Sequence, residues 1–422
     1  MANRIYLCLA HMSEAGLEQK YIQEAFDTNW VAPLGPNVNG FEEDLEGFVN
    51  VNPNANLNKR VVALTTGTAA VHLSLIACGV EPGDEVITQS FTFCASAHPV
   101  TYLGATPVFV DSEKDTWNMD PDLLEEAIKD RIAKTGKKPK VIMPVALYGM
   151  PYQIDRILEI ANRYEIPVVE DAAEGFGSRY DGQVLGTFGR YGILSFNGNK
   201  MITTSGGGAL ICPNKEEGER VMWYATQARE SYPYYQHETI GYNYRMSNIC
   251  AGIGRGQMTI VNEHIAHHQH VHQLYVELFK DVEGIEVHSQ PANGRYASNY
   301  WLTSILIDEN LKIKGQENAY KNIITSPVGG VPAVIHAASS ARTDCQPNDN
   351  VEALRIALEK EGIESRPLWK PMHKQPVYKN APAYVNGVSE AIFKKGMCLP
   401  AGPWVKDEDV KRIVDTIKAS IV

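Results

Sequence analysis

Lys200 stands in the run LSFNGNKMITTSGGGALI, between an apolar, strand-like stretch and three glycines. Its nearest cations along the chain are Arg190 and Lys215. A surface lysine needs no such setting, whereas a lysine that grips phosphate or does covalent amine chemistry does. Asp171 closes the run IPVVED, which puts a carboxylate at the C-terminal edge of an apolar strand. A carboxylate buried there needs a cation or hydrogen-bond donors. Thr65-Thr66-Gly67-Thr68-Ala69 ends another strand and opens a helix, so free N–H groups, the helix dipole and hydroxyls converge where an anion can sit.

Each feature has a plainer reading: a turn lysine, a structural ion pair, a helix cap. Together they match the needs of pyridoxal phosphate. That cofactor takes a lysine for its Schiff base, an acid to keep its pyridine nitrogen protonated, and a cradle for its phosphate. Lys200 is then the Schiff-base lysine and Asp171 the partner of the ring nitrogen.

The elements that must position these residues alternate along the chain. Short β-branched runs at 60–65, 85–88, 107–110, 141–145 and 167–170 read as strands. Residues 69–78, 120–134 and 154–164 read as helices, the second opening on Asp120-Pro121 as cap and first turn. Such alternation predicts an α/β layer with a largely parallel sheet, whose strand C-termini collect ligands. Beyond Ile211 a helix is expected over 215–230, followed by the Tyr-rich loop SYPYYQHETIGYNYRMSN. One long helix follows from about Ser247 to Val282, with a domain boundary inside it: 1–260 forms a large domain with an N-terminal arm and 261–422 a smaller α+β domain. Residues 308–350 read as an irregular, surface-exposed insertion.

With 422 residues the chain has room for two or three domains. A formal charge of −11 argues against nucleic acid or anionic membrane as the main partner. No run is apolar for the roughly 18 residues that span a bilayer, and the N-terminus lacks signal-peptide anatomy. Seven scattered cysteines without a CxxC pair suggest reduced thiols and a cytoplasmic setting.

Two other motifs are set aside. Lys200 is followed by Met with glycines at the wrong spacing for a P-loop, and GIGRG (252–256) sits in a helical pattern without a preceding strand, so it reads as close helix packing. His264, His268 and His272 share one helix face, but no cysteine or acidic cluster joins them except Glu263. That face is expected to be solvated, with no metal.

TTGTAAVHLSLIACGVEPGDEVI, QSFTFCASA, VVEDAAEGFGS, LSFNGNKMITTSGGGAL and GYNYRMSN occur in the order seen in the DegT/DnrJ/EryC1/StrS sugar aminotransferases, which the chain resembles from about Trp30 to Asn262 and again at GIESRPLWKPMHKQP and CLPAG. The second half is similar to the subgroup that aminates C4 of UDP-4-keto-6-deoxy sugars. The resemblance implies a fold-type-I transferase and a homodimer with shared active sites. It also implies cofactor contacts from Thr66, Gly67, Thr68, Ala69, Phe93, Asp171, Glu174, Ser195, Asn197 and Lys200, with Asn243 reaching the phosphate of a partner subunit. Sugar contacts are expected from Trp30, Tyr148, Arg245, Glu174 and the 369–373 segment with His373. Arg245 has a rival reading as a structural salt bridge, and Trp30 as an interface anchor. One departure stands out: Ala146 precedes Leu-Tyr-Gly where the family often carries His.

The expected activity is amino transfer, from glutamate, to the 4-keto carbon of a UDP- or other nucleotide-activated 4-keto-6-deoxy sugar. The rivals are a dehydratase, disfavoured because similar dehydratases replace the lysine with His, amination of a cyclitol ketone, and a non-catalytic binding protein.

Overall fold

The computed structural model describes residues 4–52, 55–320 and 345–422. Its central layer runs, strand by strand, Arg60–Leu64, Gly208–Cys212, Tyr191–Ser195, Val169–Asp171, Val141–Met143, Glu85–Gln89, Thr106–Val110 and Ala383–Tyr384. Bridges Ile142 to Val168 and Val145 to Asp171 join its two halves. Gly208–Cys212 runs against both neighbours and the remaining pairs are parallel. Nearly every residue of the inner strands is buried, as expected where helices cover both faces of a parallel sheet. The expected strands all form, within a few residues of their predicted ends. The last one, Ala383–Tyr384, comes from the C-terminal part of the chain.

Local chemistry sets the helix ends. Asp120 Oδ1 accepts from the N–H groups of Asp122 and Leu123 at 2.8 and 3.3 Å, and Pro121 takes the first helical position. That helix, Pro121–Thr135, stops at Gly136 in the left-handed region, φ 70°. Ile154–Arg163 buries Ile154, Ile157, Ile160 and Ala161, one apolar stripe at helical spacing.

The expected single helix over 247–282 is two, Asn248–Met258 and Val261–Phe279. It breaks at Thr259, whose hydroxyl donates to the Gly256 carbonyl at 2.6 Å, and at Ile260, whose ψ of 7° leaves the helical range. GIGRG packs as expected. A Cβ on Gly254 would come within 2.7 Å of the Phe41 ring and one on Gly256 within 2.7 Å of Glu18.

A second sheet, antiparallel, orders Ile285–Val287, Thr303–Ile307, Gly396–Leu399 and Arg366–Pro367. Asp349–Lys360 and Asp407–Ser420 bury Leu354, Leu358, Val410 and Ile413 in the same core. The 308–350 segment departs from its expected exposure where it is described: Ile313, which bridges Ile421, and Ala319 join this core, and Cys345 is buried in the larger one. Its stretch 321–344 lies outside the described residues.

The histidine face is also corrected. His264, His268 and His272 are buried, not solvated. The Nδ1–H of His264 donates to the Met201 carbonyl at 3.1 Å and that of His268 to the Tyr300 carbonyl at 3.2 Å, leaving both Nε2 atoms without a partner. A neutral ring with one donor satisfied can be buried at modest cost, whereas a charged one cannot. Among the described residues no cluster of His, Cys, Asp and Glu could hold a metal.

Candidate active site

A cavity of about 450 Å3 opens along the edge of the central sheet where the parallel strands end. Its wall includes Thr66, Gly67 and Thr68 from one helix start, Asp171 from a strand end, and Ser195 and Lys200 from the next. Three chemistries that are far apart in sequence therefore face one space.

At one end, Thr66 caps Gly67–Ala77, its hydroxyl oxygen accepting from the Ala69 N–H at 3.0 Å. Ser195 lies against this turn. A Cβ on Gly67 would stand 3.1 Å from that of Ser195, and one on Gly208 would stand 2.4 Å from the Gly67 nitrogen. The missing side chains let the turn settle on the sheet, with Thr66, Gly67 and Thr68 at the cavity wall. Ala69, also expected in the cradle, is buried, spends its N–H on Thr66 and does not line the cavity.

At the floor, Asp171 Oδ2 accepts a hydrogen bond from Ser96 Oγ at 2.6 Å and Oδ1 one from the Ala173 N–H at 3.1 Å. Burial pushes the carboxyl up from the ordinary Asp value, and the two donors and nearby Lys200 pull against it. Its neighbour Glu170 points to the other side of the strand, where the Gly186 N–H donates to it at 3.1 Å. Only the second acid of IPVVED faces the cavity.

Lys200 Nζ lies 3.4 Å from Glu174 Oε1 and 3.9 Å from the centroid of the Trp301 indole. Burial raises the Glu174 carboxyl, opposed first by Lys200 and then by the Tyr148 N–H, which donates to Oε2 at 2.7 Å. Phe93 is half-exposed at the mouth, 5.3 Å from the Trp369 ring. The indole N–H of Trp369 is buried without a partner. Asn197 and Asn199 complete the rim beside Lys200.

The donor set fits pyridoxal phosphate: an anion cradle, a buried acid with room for a cationic partner, and an amine between them. Thr66, Gly67, Thr68, Phe93, Asp171, Glu174, Ser195, Asn197 and Lys200, all expected at the site, line the one cavity.

Of the expected sugar contacts, Glu174 and Trp369 line the cavity, whereas Trp30, Tyr148, Arg245 and His373 do not. Tyr148 is buried behind the wall, its hydroxyl oxygen accepting from the Trp369 N–H at 2.8 Å. His373 is tied through Nδ1 to Ser90 Oγ at 2.6 Å. Trp30 is exposed, its carbonyl accepting from Asn248 Nδ2 at 2.9 Å. Asn243 is exposed and bridges Thr226. Arg245 bridges Leu64 through its backbone; its Nε is buried without a hydrogen-bond partner, and its charge favours the ionised form of buried Glu42. Ala146 is buried, and a Cβ on Gly175 would come within 2.7 Å of its own Cβ, so a larger residue there would crowd that turn.

Ser96 and Trp301 were missed from sequence. Ser96 lies in QSFTFCASA, three residues past Phe93, a signal that a search for donors to Asp171 could have used. Trp301 carries no local signal.

The profile of the DegT/DnrJ/EryC1/StrS aminotransferase family matches residues 13–322 and 332–418. EpsN of Bacillus subtilis (strain 168), described provisionally as a pyridoxal phosphate-dependent aminotransferase, is 40% identical over 421 residues, 99% of this chain and 96% of its own. GDP-perosamine synthase of Escherichia coli O157:H7 is 32% identical over 412 residues, 98% of each chain. The crystal structure of a DegT/DnrJ/EryC1/StrS aminotransferase from Brucella abortus superposes with a TM-score of 0.79 at 27% identity, covering 96% of this chain and 95% of that one.

Proposed function

Because the chain belongs to the DegT/DnrJ/EryC1/StrS aminotransferase family, we propose that this pyridoxal phosphate-dependent aminotransferase moves an amino group from glutamate to the 4-keto carbon of a nucleotide-activated 4-keto-6-deoxy sugar. The observation that carries the reading is the placement of Lys200 Nζ beside Glu174 in the cavity that also holds Asp171 and the Thr66–Thr68 turn. The E. coli relative, named for GDP-perosamine, supports a sugar nucleotide as the product.

Thr66, Gly67, Thr68 and Ser195 would hold the cofactor phosphate, Phe93 would cover its ring, Asp171 would face its ring nitrogen, and Lys200 would bind it covalently. When bound, the cofactor supplies an electron sink for the carbanion formed at the amine-bearing carbon. Lys200 Nζ takes the α-proton of the donor amino acid and returns a proton on the acceptor side. Asp171, whose charged form the Ser96 and Ala173 donors favour against burial, would hold positive charge opposite it. The aromatic mouth of Phe93 and Trp369 excludes water and offers flat faces to a sugar ring.

Phe26, Trp30, Val31, Leu34 and the Tyr232–Tyr235 loop expose apolar surface that a second copy would cover. In that homodimer Asn243 and Trp30 serve the neighbouring site. No described helix is long and apolar enough to cross a membrane, which accords with a cytoplasmic enzyme drawing on a soluble sugar-nucleotide pool.

The test is visible absorbance of the protein with pyridoxal phosphate, before and after glutamate, beside Lys200→Ala, followed by UDP- and GDP-linked 4-keto-6-deoxy sugars with mass detection of the product. A band in wild type that glutamate shifts, absent in the variant, and an aminated sugar nucleotide support the proposal. No band overturns the role of Lys200. A glutamate-responsive band with neither sugar aminated overturns the acceptor.

A further inference from the structure

Trp301 has no part in the chemistry described above, yet its ring lies directly against the lysine amine. Lys200 Nζ sits 3.9 Å above the indole centroid, with Glu174 Oε1 at 3.4 Å. An indole face attracts an ammonium through its quadrupole, most strongly where water is excluded, and the Lys200 side chain is only 13% exposed.

The indole is itself held from several sides. Its Nε1–H donates to the Asn199 carbonyl at 2.6 Å, which fixes the ring to the residue just before the lysine. Its backbone N–H donates to Asn299 Oδ1 at 2.9 Å, while Asn299 Nδ2 donates to the carbonyls of Glu174 and Phe176, each at 2.9 Å. The Tyr148 ring lies nearly parallel to the indole, 6.5 Å away at 19°. His264 and His268 reach from one helix to Met201 and Tyr300, the residues that follow Lys200 and precede Trp301. One helix face thus holds both segments at once.

We propose that Trp301 is a positioning residue for Lys200: its indole face and the Glu174 carboxylate together form a seat for the lysine ammonium whenever that amine is not covalently engaged. A flexible four-carbon side chain released from covalent attachment loses its alignment, and holding it in one rotamer removes that entropic cost. The seat keeps Nζ inside the cavity, facing Asp171 and the cofactor ring position, ready to take and return a proton. The inference rests on Lys200 being the reactive lysine of the proposed function, but the seat exists in the cofactor-free protein and is tested there.

The experiment labels the protein with [ε-13C]lysine and records the ε-methylene resonances of the cofactor-free form. A methylene carried over an indole face is shifted upfield by the ring current. One lysine resonance is therefore expected upfield of the others, absent in Lys200→Arg, retained in part in Trp301→Phe, and returned to the ordinary lysine range in Trp301→Leu. A Lys200 resonance in the ordinary range in wild type overturns the proposal, and that comparison stands even if a Trp301 variant fails to fold. An upfield shift that survives in folded Trp301→Leu also overturns it, since another ring would then be its source. A wild type without a cofactor band but with the upfield resonance would sink the aminotransferase reading of Lys200 and leave the seat intact.

Discussion

Ser96 Oγ donates a 2.6 Å hydrogen bond to Asp171 Oδ2, across 75 positions of sequence, and is the one side chain that donates to this buried carboxylate among the described residues. Burial alone drives the Asp171 carboxyl toward its neutral form. Ser96 is the largest influence opposing that drive, so in the proposed reading the charge that would face the ring nitrogen depends in large part on a serine hydroxyl.

Replacing Ser96 with Ala removes this opposition and raises the Asp171 pKa further. The active form is the carboxylate, so the acid limb of kcat/KM moves to higher pH. A hydrogen bond to a charged group is worth ~1.5 kcal/mol or more, which corresponds to a shift of about one pH unit. A pH–rate profile of Ser96→Ala beside wild type checks it, and an unmoved acid limb would assign that limb to another group.

Glu174 serves two neighbours, and two variants separate them. Glu174→Gln keeps an acceptor for the Tyr148 N–H but removes the charge facing Lys200. Its fold should persist while kcat/KM drops about ten-fold, as for loss of ~1.4 kcal/mol. Glu174→Ala also strands the buried N–H, which costs a further ~1–3 kcal/mol of stability. Urea unfolding and steady-state rates measured on both variants distinguish the two effects.

Burial pushes His268 down to about 3 and His272 down to about 4. Above the ordinary histidine value of about 6.5 neither folded nor unfolded chain carries these charges, and the pair contributes no pH dependence. As pH falls below that value the unfolded chain binds protons that the folded chain refuses, so stability declines down to the folded values. The slope approaches about 1.4 kcal/mol per pH unit for each residue. Urea unfolding at pH 7.5, 6 and 5 should show the decline, and His268→Gln should flatten it relative to wild type.

Gly208→Ala would press a methyl against the Gly67 nitrogen and the Thr66 carbonyl carbon, each 2.4 Å from the new Cβ. Backbone cannot yield as a side-chain tip does, so the turn should lift off the sheet. A stability loss of ~1–3 kcal/mol is expected, with weaker binding of pyridoxal phosphate. Gly206→Ala meets open space and should leave the melting temperature unchanged, which makes it the control.

Much of the site could be read along the chain because its parts carry local signatures. Asp171 ends an apolar strand, Thr66 caps a helix with its own side chain, and Lys200 stands alone between a strand and glycines. The helix break at Thr259–Ile260 could not be read this way, since no proline or glycine marks it. Nor could the burial of His264, His268 and His272: a row of histidines at helical spacing looks polar until the rings find partners, the Met201 and Tyr300 carbonyls and the Ser289 hydroxyl.

The sequence by itself determined the α/β layer, the strand end that carries Asp171, the helix start at Thr66, and the setting of Lys200 between a strand and three glycines, because each depends on residues within one or two turns of chain. Tertiary structure alone decided that Ser96 would donate to Asp171, that Trp301 would lie under Lys200, and that Ala383–Tyr384 would complete the sheet. The indole donates to Asn199 from 102 positions away, and no periodicity reports such a contact. Packing of the helix Val261–Phe279 against both the Met201 and Tyr300 segments brings the two together, and that depends on the whole fold closing around one cavity.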